Sequence, residues 1–257
     1  MKLIQSRDNP FFKELLKLTG SARQRGKVNQ TLLDGSHLLA ACLDAEITPQ
    51  HILLNAAALL DDEIASLLER ISDALVTQLD DKLFSELSEL KTHTGILTLI
   101  TLPQPSATIS DSRFALLLED IQDPGNLGSI LRSAAAAGCD AVFLSQGCAD
   151  AWSPKVLRAA MGGHFALNIY EQQNLLNVAQ QYPGALLATS LQATHSLYDC
   201  DLTGNVALIM GNEGAGLSDQ LLNLATQKFS IPMLGKVESL NVAAASAICL
   251  FEVARQR

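Results

Sequence analysis

The sequence contains no CxxC pair. Its five cysteines, Cys42, Cys139, Cys148, Cys200 and Cys249, are odd in number and widely scattered, which argues against a zinc site and against a disulfide framework. A reducing, cytoplasmic setting is the expectation. No apolar run approaches the roughly 18 residues that a spanning helix needs, and the opening MKLIQSRDNP lacks a signal peptide's apolar stretch, so a soluble protein with no membrane partner is expected. The five histidines, His37, His51, His93, His164 and His195, have no metal-ligand spacing, and no metal is expected. Charged residues are few, 18% against 48% hydrophobic, a balance that favours a globular chain over a disordered one. There is no internal repeat or low-complexity tract, and 257 residues leave room for two domains.

The net charge of −9 counts against a nucleic-acid partner until its distribution is read. Residues 1–27 hold Lys2, Arg7, Lys13, Lys17, Arg23, Arg25 and Lys27 against Asp8 and Glu14, a net +5 on a body of −14. Arg23, Arg25 and Lys27 are therefore candidate RNA contacts, with a solvated helix face as the alternative. Lys155 and Arg158, one helical turn apart in SPKVLRAAMG, are candidate phosphate contacts by spacing. Trp152 reads as packing rather than as a base-stacking platform.

Up to about residue 100, apolar runs alternate with amphipathic stretches, predicting a small α/β unit over 1–102. LPQPSATIS, with Pro103 and Pro105, reads as a linker over 103–112. Alternation restarts with FALLLEDI, AVFLS, ALLATS and NVALIMG, strands so uniformly apolar that a parallel sheet covered on both faces is expected for 113–257. SPKVLRAAMG falls within this second domain, a helix is expected from about Gly125 to Ala137, a short strand at IPM, and a last helix from about Ser239.

Three segments of that domain each begin where a predicted strand ends. In DPGNLGSILRSA, Asn126 sits at the expected helix start, and Arg132 is a lone cation in a helix of small and apolar residues, which calls for an anionic partner or ligand. In IMGNEGAGLS, Gly211, Gly214 and Gly216 allow close backbone approach and positive φ. No lysine is present and Glu213 brings negative charge, so the loop is not a phosphate cradle, and no dinucleotide fingerprint is present either. A neutral or cationic adenosine-containing ligand fits better. The third segment is IPMLGKVESLNVAAASA, whose small residues permit close packing.

In order and spacing, the three segments resemble the motifs of the SpoU (TrmH-like) RNA 2'-O-ribose methyltransferases of the trefoil-knot SPOUT superfamily. The resemblance implies an α/β protein whose C-terminal, parallel-sheet methyltransferase domain is trefoil-knotted. An L30e-like, RNA substrate-binding α/β domain would precede it, on the evidence of DGSHLLAACLDA. It implies S-adenosyl-L-methionine as cofactor, held by main-chain groups at Gly211, Ile231 and Leu240 with Thr189, Met233 and Asn241 as neighbours. It assigns catalysis to Arg132 and Asn126, with Glu213, Ser239 and Asn241 in support. It also implies structured RNA, ribosomal or transfer, as substrate, and a homodimer formed through the C-terminal domain. Ser133, Asn168 and Asp34 stand where the family more often has threonine, proline and glutamate. The alternative is an inactive RNA-binding protein of the same fold.

Overall fold

The structure, a computed structural model, describes residues 1–71, 75–88, 90, 93–106 and 108–257. Two compact units divide the chain, Met1–Pro103 with Trp152–Phe165, and Gln104–Ala151 with Ala166–Arg257.

The first unit contains β1 (Lys2–Ile4), α1 (Pro10–Gly20), α2 (Ala22–Val28), β2 (Gln30–Asp34), α3 (Ser36–Asp44), β3 (His51–Leu54), α4 (Asp62–Glu69), β4 (Leu75–Leu79), α5 (Asp81–Leu87) and β5 (Ile96–Thr101). The strands form one mixed sheet in the order β1-β4-β3-β5-β2, with β5 antiparallel to both of its neighbours. Period-two alternation splits its apolar residues between two cores. Leu53, Leu97 and Leu99 pack with Phe12, Leu15 and Phe84, whereas Ile52, Leu54 and Ile96 pack with Leu39, Ile64 and Leu67. Each such side chain contributes about 1.5–3 kcal/mol by leaving water.

Residues 1–27 are not an appended arm. Phe12, Leu15 and Leu18 of α1 are core residues, so the basic charges decorate helices that belong to the unit. Arg7 pairs with Glu86 at 2.8 Å and Lys13 with Asp8 at 2.7 Å. Arg25 corrects the sequence reading outright. It is 5% exposed and its guanidinium donates to the carbonyls of Leu18 and Thr19 at the end of α1, where a cation answers orphan carbonyls and the negative end of the helix dipole. It is a structural arginine with no face for RNA. Arg23 and Lys27 are exposed and make no ion pair among the described residues.

The second unit begins with β6 (Phe114–Leu118), α6 (Pro124–Ala136) and β7 (Ala141–Ser145). At Trp152 the chain passes to the first unit, to which Trp152–Phe165 and its helix α7 (Pro154–Ala160) belong. The sequence reading put this segment in the second domain. Instead, Thr31 Oγ1 donates to the Trp152 carbonyl at 3.0 Å, and the Trp152 ring lies 4.9 Å from His164. Trp152 is packed, and Lys155 and Arg158 are exposed.

After this excursion come β8 (Asn168–Gln173), α8 (Leu175–Gln181), β9 (Ala185–Thr189), β10 (Val206–Met210), α9 (Asp219–Leu224), β11 (Gln227–Phe229) and α10 (Val242–Gln256). All six strands are parallel, in the order β11-β9-β10-β6-β7-β8. β6 and β10, at the centre, are buried at every position, as a sheet covered on both faces requires. IPM lies beyond β11 as loop. α10 starts at Val242 and is capped by Asn241, not Ser239, because the Asn241 carboxamide accepts from the N–H groups of Ala243 and Ala244. Asn168, in a position where proline could not donate, accepts from Ser106 N at 3.0 Å and donates to the Asp140 carbonyl at 3.1 Å.

Candidate active site

In an open parallel sheet, ligands bind at the carboxyl ends of the strands where the strand order reverses. Here the chain runs outward through β6, β7 and β8, then crosses to β9 and inserts β10 beside β6. The loops after β9, β10 and β11, with the start of α10, line one cleft of about 440 Å³, within the usual range for a small-molecule site.

α6 begins because Asp123 accepts from Asn126 N at 2.8 Å and Pro124 supplies a preset φ in the first turn. Leu127, Ile130, Leu131 and Ala134 are its buried face. Asn126 projects from the first turn and Arg132, exposed, from the third; the Arg132 side chain has no hydrogen bond or ion pair among the described residues. The anionic partner that its position calls for is thus not supplied by those residues.

The loop after β10 is a tight turn. Asn212 and Gly216 pair backbone to backbone at 2.9 and 3.1 Å, and Gly216 has φ +71°. A Cβ at Gly211 would lie 2.4 Å from the Gly216 backbone, so Gly211 is required by the loop's own closure. Beyond the turn, Ser218 N donates to Glu119 Oε2 at 2.7 Å.

Three of the sequence-predicted residues meet directly. Asn241 Nδ2 donates to Asn126 Oδ1 at 2.9 Å, and Asn126 Nδ2 donates to Glu213 Oε1 at 2.8 Å. This row joins the cap of α10, the first turn of α6 and the loop after β10. Glu213 and Ser239 line the cleft, as do Thr189, Gly211, Ile231, Met233 and Leu240. Asn241 does not. Its carboxamide is held by Asn126 and by the helix cap, between Leu240 and Val242 of the lining. Sequence reasoning passed over Asn212, Glu119 and Asp219; the Asn-x-Gly spacing of Asn212 and Gly214 was a turn signal for the first.

The cleft suits the ligand inferred from the motifs. Its described lining includes no Lys, Arg or His but two carboxylates, Glu213 and Asp219. Backbone groups of Gly211, Ile231 and Leu240 make no hydrogen bond among the described residues, which leaves main-chain donors and acceptors free to read a base edge or an amino-acid moiety. A cationic adenosine-type molecule fits this donor set, whereas a polyphosphate does not.

The fold and cleft therefore define an α/β protein that binds a small, uncharged or cationic ligand at a sheet switch point. The chain belongs to the SpoU rRNA Methylase family, whose model matches residues 113–251. It is 32% identical to the 23S rRNA (guanosine(2553)-2'-O)-methyltransferase RlmP of Bacillus subtilis, over 98% of this chain and 99% of that protein. Among solved structures it resembles the SpoU methyltransferase AviRb of Streptomyces viridochromogenes in complex with AdoMet, with a TM-score of 0.87 and 26% identity over 96% of this chain and 98% of that one. An AdoMet-bound rRNA methyltransferase from Sinorhizobium meliloti matches with a TM-score of 0.84 and 26% identity, covering 99% and 97% of the two chains. The cofactor is S-adenosyl-L-methionine.

Proposed function

We propose that this protein transfers a methyl group from S-adenosylmethionine to a ribose 2'-hydroxyl of ribosomal RNA. The observation that carries the reading is the hydrogen-bonded row Asn241–Asn126–Glu213, which ends on the cleft wall at Glu213 and whose middle member, Asn126, is on the same helix as the unpartnered Arg132. The bound cofactor supplies an electrophilic methyl carbon on a sulfonium. The protein's part is to align the ribose oxygen and stabilise the negative charge it gains as its proton leaves; that charge would be lost in the new bond to the methyl carbon, with the carbon–sulfur electron pair left on a neutral thioether. Arg132, through its guanidinium, holds a neighbouring phosphate or the developing oxyanion. Glu213, fixed through Oε1 by Asn126, keeps its second oxygen for the hydroxyl proton. Ser239 stands on the cleft wall as a further polar contact. An inactive RNA-binding role would not require these groups to be gathered.

RNA would be engaged by the first unit, through exposed Arg23 and Lys27 and through Lys155 and Arg158. Its mixed sheet and helices are consistent with the L30e-like substrate module that the family resemblance implies. The trefoil threading of the second unit rests on the same resemblance. For a homodimer, α10 offers Ala244 and Phe251 exposed with Ala247 and Ile248 half-buried between them, one apolar stripe of helical spacing. The five free, scattered cysteines favour a reducing cytoplasm as the place of action. Assaying labelled methyl transfer to ribosomal RNA and locating the label on the nucleoside tests the central reading.

A further inference from the structure

The structure assigns to Asn212 the part of a positioning residue, whose side chain sets the distance between the segments that carry Asn126 and Glu213. The inference rests on the methyl-transfer reading and adds a group to which no role has been given.

Asn212 Oδ1 accepts from Gly214 N at 2.9 Å and from Ala215 N at 3.0 Å, so it folds its own loop into an Asx turn. Those two donors fix the orientation of the amide, leaving Nδ2 as the donor on the other side. Nδ2 donates at 2.9 Å to the carbonyl of Asp120. That carbonyl belongs to the turn between β6 and α6, and its direction is set twice over. Asp120 has φ +55°, in the left-handed region, and it is held there by Ser145 Oγ, which accepts from its backbone N at 2.9 Å and donates to its carboxylate at 2.5 Å. A non-glycine residue persists in that region where its surroundings fix it.

One carboxamide thus ties two loops that lie 92 residues apart in the chain. Glu213 is the next residue after Asn212, and Asn126 opens the helix that follows Asp120. Their 2.8 Å hydrogen bond spans the same gap as the tie. The Asn212 tie therefore holds the catalytic groups in register and keeps Gly211 and Glu213, with Asn212 between them, on the cleft wall.

The decisive variant is Asn212→Asp in the full chain. It keeps an oxygen for Gly214 N and Ala215 N but turns a carboxylate oxygen toward the Asp120 carbonyl. An aspartate carboxyl ordinarily titrates at about 3.9, so it is ionised and cannot donate there at working pH. S-adenosylmethionine affinity by calorimetry and kcat on RNA are measured for parent and variant at about pH 8, with Tm as the folding control. The expected result is a loss of roughly ten-fold in each, while KM for RNA stays unchanged. Asn212→Ser, which is too short to reach Asp120, should show a smaller loss and carries the affinity test if the aspartate variant does not fold. Parental affinity and turnover in the aspartate variant, or a loss in the two variants that merely follows Tm, overturns the assignment. The calorimetric arm uses no RNA, so its failure is distinguishable from a failure of the 2'-hydroxyl reading, which would appear in the parent enzyme as absent transfer with cofactor binding intact.

Discussion

In the proposed reaction the unpaired Arg132 serves as a fixed positive charge rather than as a base, a role suited to a guanidinium. It is outside the cleft lining, and Arg132→Ala should leave S-adenosylmethionine affinity within a few-fold. Methyl transfer should fall by about two orders of magnitude, the scale for losing a positioned electrostatic group. Calorimetry and single-turnover kinetics check the split, and near-full turnover in the variant would remove Arg132 from the site. Arg25 makes the opposite case. Arg25→Ala strips charged donors from the Leu18 and Thr19 carbonyls and should destabilise the fold by about 2 kcal/mol or more. Replacing exposed Arg23 and Lys27 with serine should leave Tm unchanged and weaken RNA binding, flattening its salt dependence by roughly 0.7 log–log units per lost phosphate contact on single strands. Denaturation and filter binding across a salt series separate the two outcomes. The sequence displayed Arg132 as a cation among small residues. It could not distinguish Arg25 from its neighbours, because the carbonyls that bind it come from the preceding helix and leave no mark on composition.

The elements most legible in the sequence were the central strands. β6 and β10 are apolar throughout because both faces are covered. β1 was not legible, being a three-residue edge strand that carries a lysine. α7 was found as a helix and assigned to the wrong unit, since an amphipathic pattern tells which face is buried but not what buries it. The last helix was expected three residues early because Ser239 and Asn241 are both capable caps, and the choice between them is made by which side chain also reaches Asn126. That double use of Asn241 yields a separation. Asn241→Asp keeps an acceptor for the cap and should preserve Tm, whereas Asn241→Ala should cost about 1 kcal/mol. Neither can donate to Asn126, so both should lose turnover; parental kcat in the aspartate variant would leave Asn241 as a cap alone. At the far end of α10, hydrogen bonds from Arg255 and Gln256 hold the Glu252 carboxyl at about 2 against an ordinary 4.5. A depressed folded-state pKa contributes stability that is complete above about 4.5 and lost as the pH falls toward 2. Glu252→Gln should therefore lower Tm at pH 7, with the gap closing through that window. A gap independent of pH would mean that the charge does nothing.

On the scale of the whole molecule, the second unit supplies an all-parallel sheet whose reversal point creates the cleft. The candidate site was readable in advance because its residues cluster in three short motifs, each at a strand end. Its hydrogen-bonded order was not, because Asn126, Glu213 and Asn241 are brought together only when three segments far apart in the chain meet at the carboxyl end of one sheet. The first unit is built differently, on a mixed sheet with two cores, and it is the unit proposed above to meet the RNA. The account stands or falls on where the methyl group goes. Ribosomal RNA should be incubated with the full chain and methyl-labelled S-adenosylmethionine, digested to nucleosides and resolved by mass spectrometry. The account predicts label in a 2'-O-methylated ribose with the parent and about a hundredfold less with Arg132→Ala; label on a base, or none while calorimetry shows the cofactor bound, would contradict it.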